Sequence, residues 1–173
     1  MSDVLIRLAQ MKDAPLLPEI EISAGEAFRT IPGLEWIADD DVMSAEHHEI
    51  YIDEGTVWVA ETREHLVGFI TTRLEFDENT LHIIELSVES GQQGQGIGGQ
   101  LFEAVIQYAS EQNLTGMTLT TFRDLAFNEA FYQKLGFQTL ESNELSPRLR
   151  DILTAEAENG LPAERRCAMS MPL

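Results

Sequence analysis

The segment "GQQGQGIGGQLF", residues 91–102, constrains this chain more than any other. It places five glycines between an apolar run, "LHIIELSV" (81–88), and an amphipathic one, "LFEAVIQYA" (101–109). Glycine reaches backbone angles closed to other residues, and without a Cβ it lets a ligand approach the main chain. Ile97, Leu101, Val105 and Tyr108 recur at helical spacing, so a helix opens near residue 97 and runs to about Glu111. The first N–H groups of a helix lack partners within it, and its dipole is positive there. Four glycines in positions 94–99, at such a helix start, predict a pyrophosphate cradle rather than a plain cap. Each glycine costs conformational entropy that a mere cap would not require.

Two other glycine-loop readings fit less well. Gly94, Gly96 and Gly99 match G-x-G-x-x-G, and Asp124 lies where a ribose-binding acid could be sought. That fingerprint needs its first glycine at the tip of a strand, yet "ESGQQ" (89–93) intervenes. The 74 residues after Gly99 are too few for a doubly wound sheet. A P-loop fails because no Lys-Ser or Lys-Thr follows the glycines.

The rest of the chain supplies context. "VLIRLA" (4–9) alternates as a strand, and "APLLPEIEISAGEAFR" (14–29) has helical spacing with Pro15 in its first turn. "TIPGLEWIA" is a broken loop carrying Trp36; "DDDVMSAEHHEIYIDEG" (39–55) reads as a helix opened by its aspartates and stopped by Gly55. Three consecutive strands follow, 56–62, 65–76 and 80–88, an antiparallel meander. Beyond the glycine-opened helix come a strand (116–122), a helix (126–136) closed by Gly136, a strand (137–141), a helix (146–160) and a last strand (165–173). The order β α α β β β α β α β α β predicts a mixed α/β (α+β) single domain over residues 1–173.

Charge and cysteine content narrow the partners. The formal net charge of −19 disfavours nucleic acid and anionic membranes and suits a cationic substrate. No run approaches a membrane span, the N-terminal segment has no leader pattern, and the single Cys167 forms no internal disulfide. A cytoplasmic location is the expectation.

Two motifs, taken together, resemble one family. "QGQGIG" fits Q/R-x-x-G-x-G/A at Gln93, Gly96 and Gly98, and "NEAFYQKLGF" (128–137) is similar to N-x-x-A/F-x-x-F/Y-x-K-x-G-F. This combination, about 30 residues apart, resembles the GNAT superfamily of acetyl-CoA-dependent N-acetyltransferases. The resemblance covers residues 56–141 well and the flanks through element order. It implies a mostly antiparallel sheet of about seven strands, flanked by helices and splayed between strands four and five.

The resemblance also implies site residues. Backbone amides of Gln93, Gly94, Gln95, Gly96, Ile97, Gly98 and Gly99 would hold the pyrophosphate. The main chain of Leu86, Ser87 and Val88 would bond the pantetheine arm as an added strand, with an N–H near Val88 facing the thioester carbonyl. Asn128 would contact the arm, and Tyr132 would protonate the leaving thiolate, whose thiol has a pKa of about 8.5. The acceptor ammonium, pKa about 10.4, needs a base. Glu85, among apolar neighbours that could raise its pKa, is the first candidate; His82, on the opposite face, is the second. Phe28, Trp36 and Glu85, with Glu35, Asp39 and Tyr51, are candidates for the acceptor side. The aspartates at 39–41 read first as a helix start.

No metal is expected: His47 and His48 read as a hydrated surface pair, His65 sits in a turn, and no His/Cys cluster has zinc spacing. Cys167 reads as a small apolar strand residue. The activity so implied is acetyl transfer to a small, cationic primary amine in a ternary complex. A protein N-terminus or lysine as acceptor, or a non-catalytic CoA-binding module, stays open, as does a homodimer through the last strand.

Overall fold

The computed structural model describes residues 3–173; Met1 and Ser2, which begin the segment read as leaderless, lie outside them. Its elements are β1 (Leu5–Leu8), α1 (Leu17–Gly25), α2 (Ala45–Asp53), β2 (Val57–Glu61), β3 (Leu66–Glu75), β4 (Thr80–Val88), α3 (Ile97–Glu111), β5 (Gly116–Phe122), α4 (Glu129–Leu135), β6 (Gln138–Thr139), α5 (Pro147–Glu158) and β7 (Arg166–Pro172). The strands form one sheet in the order β1-β2-β3-β4-β5-β7-β6. The architecture is the expected mixed α/β one. The chain divides into two compact units: residues up to Arg73 with Ile84–Tyr108, and Leu74–Ile83 with Ala109–Leu173.

In the first unit β1, β2 and β3 pair antiparallel, Leu8 facing Trp58 and Trp58 facing Ile70. Ala14, Leu17, Ile20, Ile52, Val57, Val59, Leu66 and Phe69 form a buried cluster between helices and strands, with Tyr51 packed against it. The helix expected over 14–29 is broken into a 3-10 turn (Met11–Leu16), α1, and a second 3-10 turn (Glu26–Phe28). Pro15 therefore sits inside the first turn, and Pro18 opens α1. Proline has no N–H to donate, so two prolines three residues apart favour short pieces over one continuous helix. The aspartates at 39–41 do not open a helix: Asp39 closes a 3-10 turn (Glu35–Asp39), and α2 starts at Ala45. Ser44 caps it, its Oγ accepting the His47 N–H at 3.2 Å. A hydroxyl that satisfies one of the orphan N–H groups outranks acidic residues several positions upstream.

Gly68 on β3 brings the glycine-opened helix close to the strand ends. A Cβ there would lie 3.0 Å from the Ser87 carbonyl oxygen, 3.3 Å from Val88 Cγ2 and 3.5 Å from Leu101 Cδ1. Only a residue without a side chain lets β3, the end of β4 and α3 approach this closely. On α3, Ile97, Leu101, Phe102 and Val105 are fully or almost fully buried, as the helical spacing predicted.

In the second unit the start of β4 pairs parallel with β5, from Thr80–Gly116 to His82–Thr118. The antiparallel β5–β7 ladder runs from Gly116–Pro172 to Phe122–Arg166. Gly116 allows it, since a Cβ would meet the Met171 carbonyl oxygen at 2.9 Å. Gly136 ends α4 in the left-handed conformation, φ 111°, its N–H donating to the Gln133 carbonyl. Ser146 caps α5 through the Leu149 N–H. Cys167 is buried on β7, and burial first, then Glu129, pushes its thiol up to about 11. It is the inert apolar residue expected.

Candidate functional site

The glycine loop is tied down on one side and open on the other. The Glu89 N–H donates to the Val67 carbonyl at 2.9 Å, and the Glu89 carboxylate meets His65 Nε2 at 3.0 Å. The Ser90 N–H donates to Ser23 Oγ on α1 at 2.9 Å. Gln93 Nε2 donates to the Val88 carbonyl at 3.0 Å, so its side chain fastens the loop to the strand. After these anchors Gly94 and Gly96 take φ of 79° and 84°, a region that side chains resist. A Cβ at Gly94, Gly96 or Gly99 would meet nothing within 4 Å.

The first α3 backbone bond runs from the Gln100 N–H to the Gly96 carbonyl at 3.1 Å. The N–H groups of Ile97, Gly98 and Gly99 thus precede the helical ladder, where the dipole is positive. Residues 90–102 contain none of the chain's 30 acidic residues. A chain of net charge −19 therefore keeps this stretch free of carboxylates that would repel a phosphate.

On β4, in the same unit, Glu85 is half-buried and accepts the Ser87 hydroxyl at 2.9 Å. Ser87 is 2% exposed, and its hydroxyl is engaged by Glu85. Leu86 and Val88 are half-buried between them. His82 belongs to the second unit, where its buried Nδ1 lies 2.8 Å from Thr118 Oγ1. Thr118 Oγ1 also accepts from Arg148 Nη2 at 3.0 Å, and Arg148 pairs with Glu78. This network engages Nδ1 of His82.

The second unit carries Asn128 and Tyr132 one helical turn apart. The Tyr132 N–H donates to the Asn128 carbonyl at 3.0 Å, starting α4. Asn128 Nδ2 donates to Thr121 Oγ1 at 2.8 Å, while its Oδ1 is buried with no acceptor role filled. A buried carbonyl oxygen without a donor is costly and invites one from a ligand. Tyr132 packs edge-on against Phe131 at 5.2 Å and Phe137 at 6.0 Å. Phe131 and Tyr132 are both half-buried.

The acceptor-side candidates of the first unit separate. Phe28 is half-buried and Trp36 39% exposed, both on 3-10 turns. Glu35 is exposed. Asp39 is held by Arg29 at 3.0 Å, and Arg29 also pairs with Glu26 at 2.9 Å. Tyr51 stacks on His47 and belongs to the core cluster instead. His48 corrects the reading of a hydrated pair: it is fully buried, edge-on to Phe69, and neither ring nitrogen has a partner. Desolvation lowers its pKa to about 4, with exposed His47 adding to the effect. Among the described residues no His, Cys, Asp and Glu group has a metal-binding arrangement.

Sequence reasoning missed Ser23 and Glu21 on α1. Burial raises the Glu21 pKa, partly countered by the Met43 N–H, which donates to its carboxylate at 3.3 Å. The bond from Ser90 to Ser23 spans 67 residues, and no periodicity points to such a contact.

Comparison with known proteins accords with this arrangement. The family model described as "Acetyltransferase (GNAT) family" matches residues 25–137. N-acetylaspartate synthetase of Rattus norvegicus is 25% identical over 111 residues, covering 64% of this chain and 37% of the relative. N-acetyltransferase 8B of Homo sapiens is 35% identical over 113 residues, covering 61% and 49%. The chain thus spans half or less of either relative's length. The PaiA N-acetyltransferase of Thermoplasma acidophilum, solved with coenzyme A, shares the fold at a TM-score of 0.72 and 16% identity, with 99% of both chains covered.

Proposed function

We propose that this chain, which belongs to the GNAT family of acetyltransferases, transfers an acetyl group from acetyl-CoA to the primary amine of a small, cationic acceptor. The observation that carries the reading is the open row of amides at the start of α3, flanked by two left-handed glycines and free of carboxylates. When bound, acetyl-CoA supplies an acyl group activated as a thioester.

The chain's own residues would then do four things. The amides from Gly94 to Gly99 bind the diphosphate, with the helix dipole adding to each hydrogen bond. The main chain of Leu86 to Val88 orients the extended arm. Tyr132 donates a proton to the departing sulfur, its phenol being a weaker acid than the thiol it serves. Glu85 takes the proton of the acceptor ammonium, directly or through water. The Ser87 hydroxyl fixes the carboxylate orientation on which that transfer depends.

Two features support a cationic acceptor over an acidic one. Arg7, Arg29 and Arg63 of the first unit are each paired with a carboxylate. The net charge also attracts cations. Phe28, Trp36 and Glu85 are the residues proposed to meet the amine. The test is free-thiol release from acetyl-CoA over a panel of polyamines, amino acids and peptides. Tyr132→Phe should lower kcat by about a hundredfold and leave CoA binding unchanged. Heat of CoA binding without thiol release from any amine would instead indicate a non-catalytic binder.

A further inference from the structure

Helix α1 touches three parts of the first unit. Ser23 Oγ accepts the Ser90 N–H at 2.9 Å, four residues before the first cradle glycine. Glu21 accepts the Met43 N–H at 3.3 Å, at the far end of the segment between α1 and α2. At its C-terminal end α1 runs into the turn of Glu26–Phe28, where Arg29 bridges Glu26 to Asp39. Gly25 lies about a van der Waals contact from Ala38, since its Cβ would meet Ala38 Cα at 4.0 Å. The segment 26–43, which bears Phe28 and Trp36, is thus held to α1 at both ends and in the middle. The glycine loop is held to α1 by the Ser23 bond.

We infer that Ser23 is a positioning residue that transmits binding at the diphosphate loop to the acceptor-side segment. Ordering of the loop by a diphosphate fixes Ser90, which fixes α1 through Ser23, and α1 carries residues 26–43 with it. Coupling of this kind requires one contact with a defined geometry between two otherwise separate stretches, and the Ser90–Ser23 bond supplies it. The inference rests on the reading of the loop as a CoA site.

The experiment needs no knowledge of the amine. Calorimetry with CoA defines saturating concentrations for the wild type, Ser23→Ala and Ser23→Thr. Hydrogen exchange of residues 17–43 is then followed with and without saturating CoA. In the wild type and Ser23→Thr, CoA should slow exchange there about fivefold, the equivalent of one hydrogen bond. In Ser23→Ala, which still binds CoA, the slowing should vanish. A purely structural serine would change exchange in the free protein and leave the CoA-induced increment intact. Slowing in Ser23→Ala equal to the wild type overturns the inference, as does CoA binding to the wild type with no slowing at all. Absence of CoA binding to the wild type overturns the functional reading and this inference with it.

Discussion

The glycine loop of the first unit and the Arg166 network of the second handle polar groups in opposite ways. Arg166 donates to both oxygens of Glu156, at 3.1 and 3.0 Å, and to Thr120 at 3.2 Å. The Thr120 hydroxyl donates back to Glu156 at 2.6 Å, and the guanidinium lies 4.5 Å over the Phe122 ring. Donors and acceptors there meet inside the protein, and the result is a fixed joint between β5, β7 and α5. At Gly94, Gly96 and Gly99 a Cβ would meet nothing within 4 Å, two of the three are left-handed, and the helix dipole is favourable there. Closed networks hold a fold together, while an open row of donors on a firm base is fit to receive a ligand.

The largest test of that contrast removes one member of the closed network. Glu156→Ala leaves Arg166, whose side chain is 11% exposed, without its bidentate partner. Stability should fall by about 3 kcal/mol, read by urea unfolding. Glu156→Leu combined with Arg166→Met should lose much less, since no charge is stranded. A cost of Glu156→Ala below about 1 kcal/mol would mean the network is loosely solvated and the contrast is overdrawn.

His48 probes whether an unpaired polar group always signals a ligand. Its ring nitrogens lack partners, yet it is sealed from solvent beside Phe69. With a folded pKa of about 4 against an ordinary 6.5, the folded state binds the proton less readily than the unfolded one. Stability from this group is therefore complete above about pH 6.5 and is lost as pH falls towards 4. The loss reaches about 3 kcal/mol. His48→Leu should abolish the difference in unfolding free energy between pH 7 and pH 4.5 attributable to this site. An unchanged slope in the variant would mean that His48 takes up its proton equally readily in the folded and unfolded states. Openness, then, separates the loop from a merely buried orphan.

Legibility followed the reach of the physical signal. The bounds of β4, α3 and β5 match the sequence reading because period changes and glycines mark each end. The left-handed glycines of the loop were legible for the same reason, since their signal lies in adjacent residues. The first 55 residues were harder. Prolines and Gly25 divide one apolar periodicity into three pieces, and Ser44 rather than the aspartates decides where α2 begins. His48 was misplaced because the helix phase that buries it was set by a start several residues late. The Ser23–Ser90, His65–Glu89 and Arg166–Glu156 contacts depend on tertiary folding and leave no local trace.

Within the loop, Gly96 tests the importance of the left-handed backbone. Gly96→Val forces a branched side chain into φ 84°, at a strain of about 1–2 kcal/mol. Its Cβ would also enter the open space proposed to take the diphosphate. CoA affinity should drop tenfold or more, with the melting temperature lower by a few degrees. Retained affinity in a folded variant would remove the amides of this loop from the binding site.

Gly99 gives the smallest effect and the sharpest separation. It lies inside the first turn of α3, outside the left-handed set, and a Cβ there meets nothing within 4 Å. Alanine is the better helix former by about 0.5–1 kcal/mol, so Gly99→Ala should raise thermal stability. The same methyl group projects at the open end where the diphosphate oxygens must approach the N–H groups, so CoA affinity should fall several-fold. A glycine kept for folding would show the two quantities moving together. Stability rising while affinity falls is the pattern of a glycine kept for its ligand, and calorimetry beside a melting curve reads both from one sample.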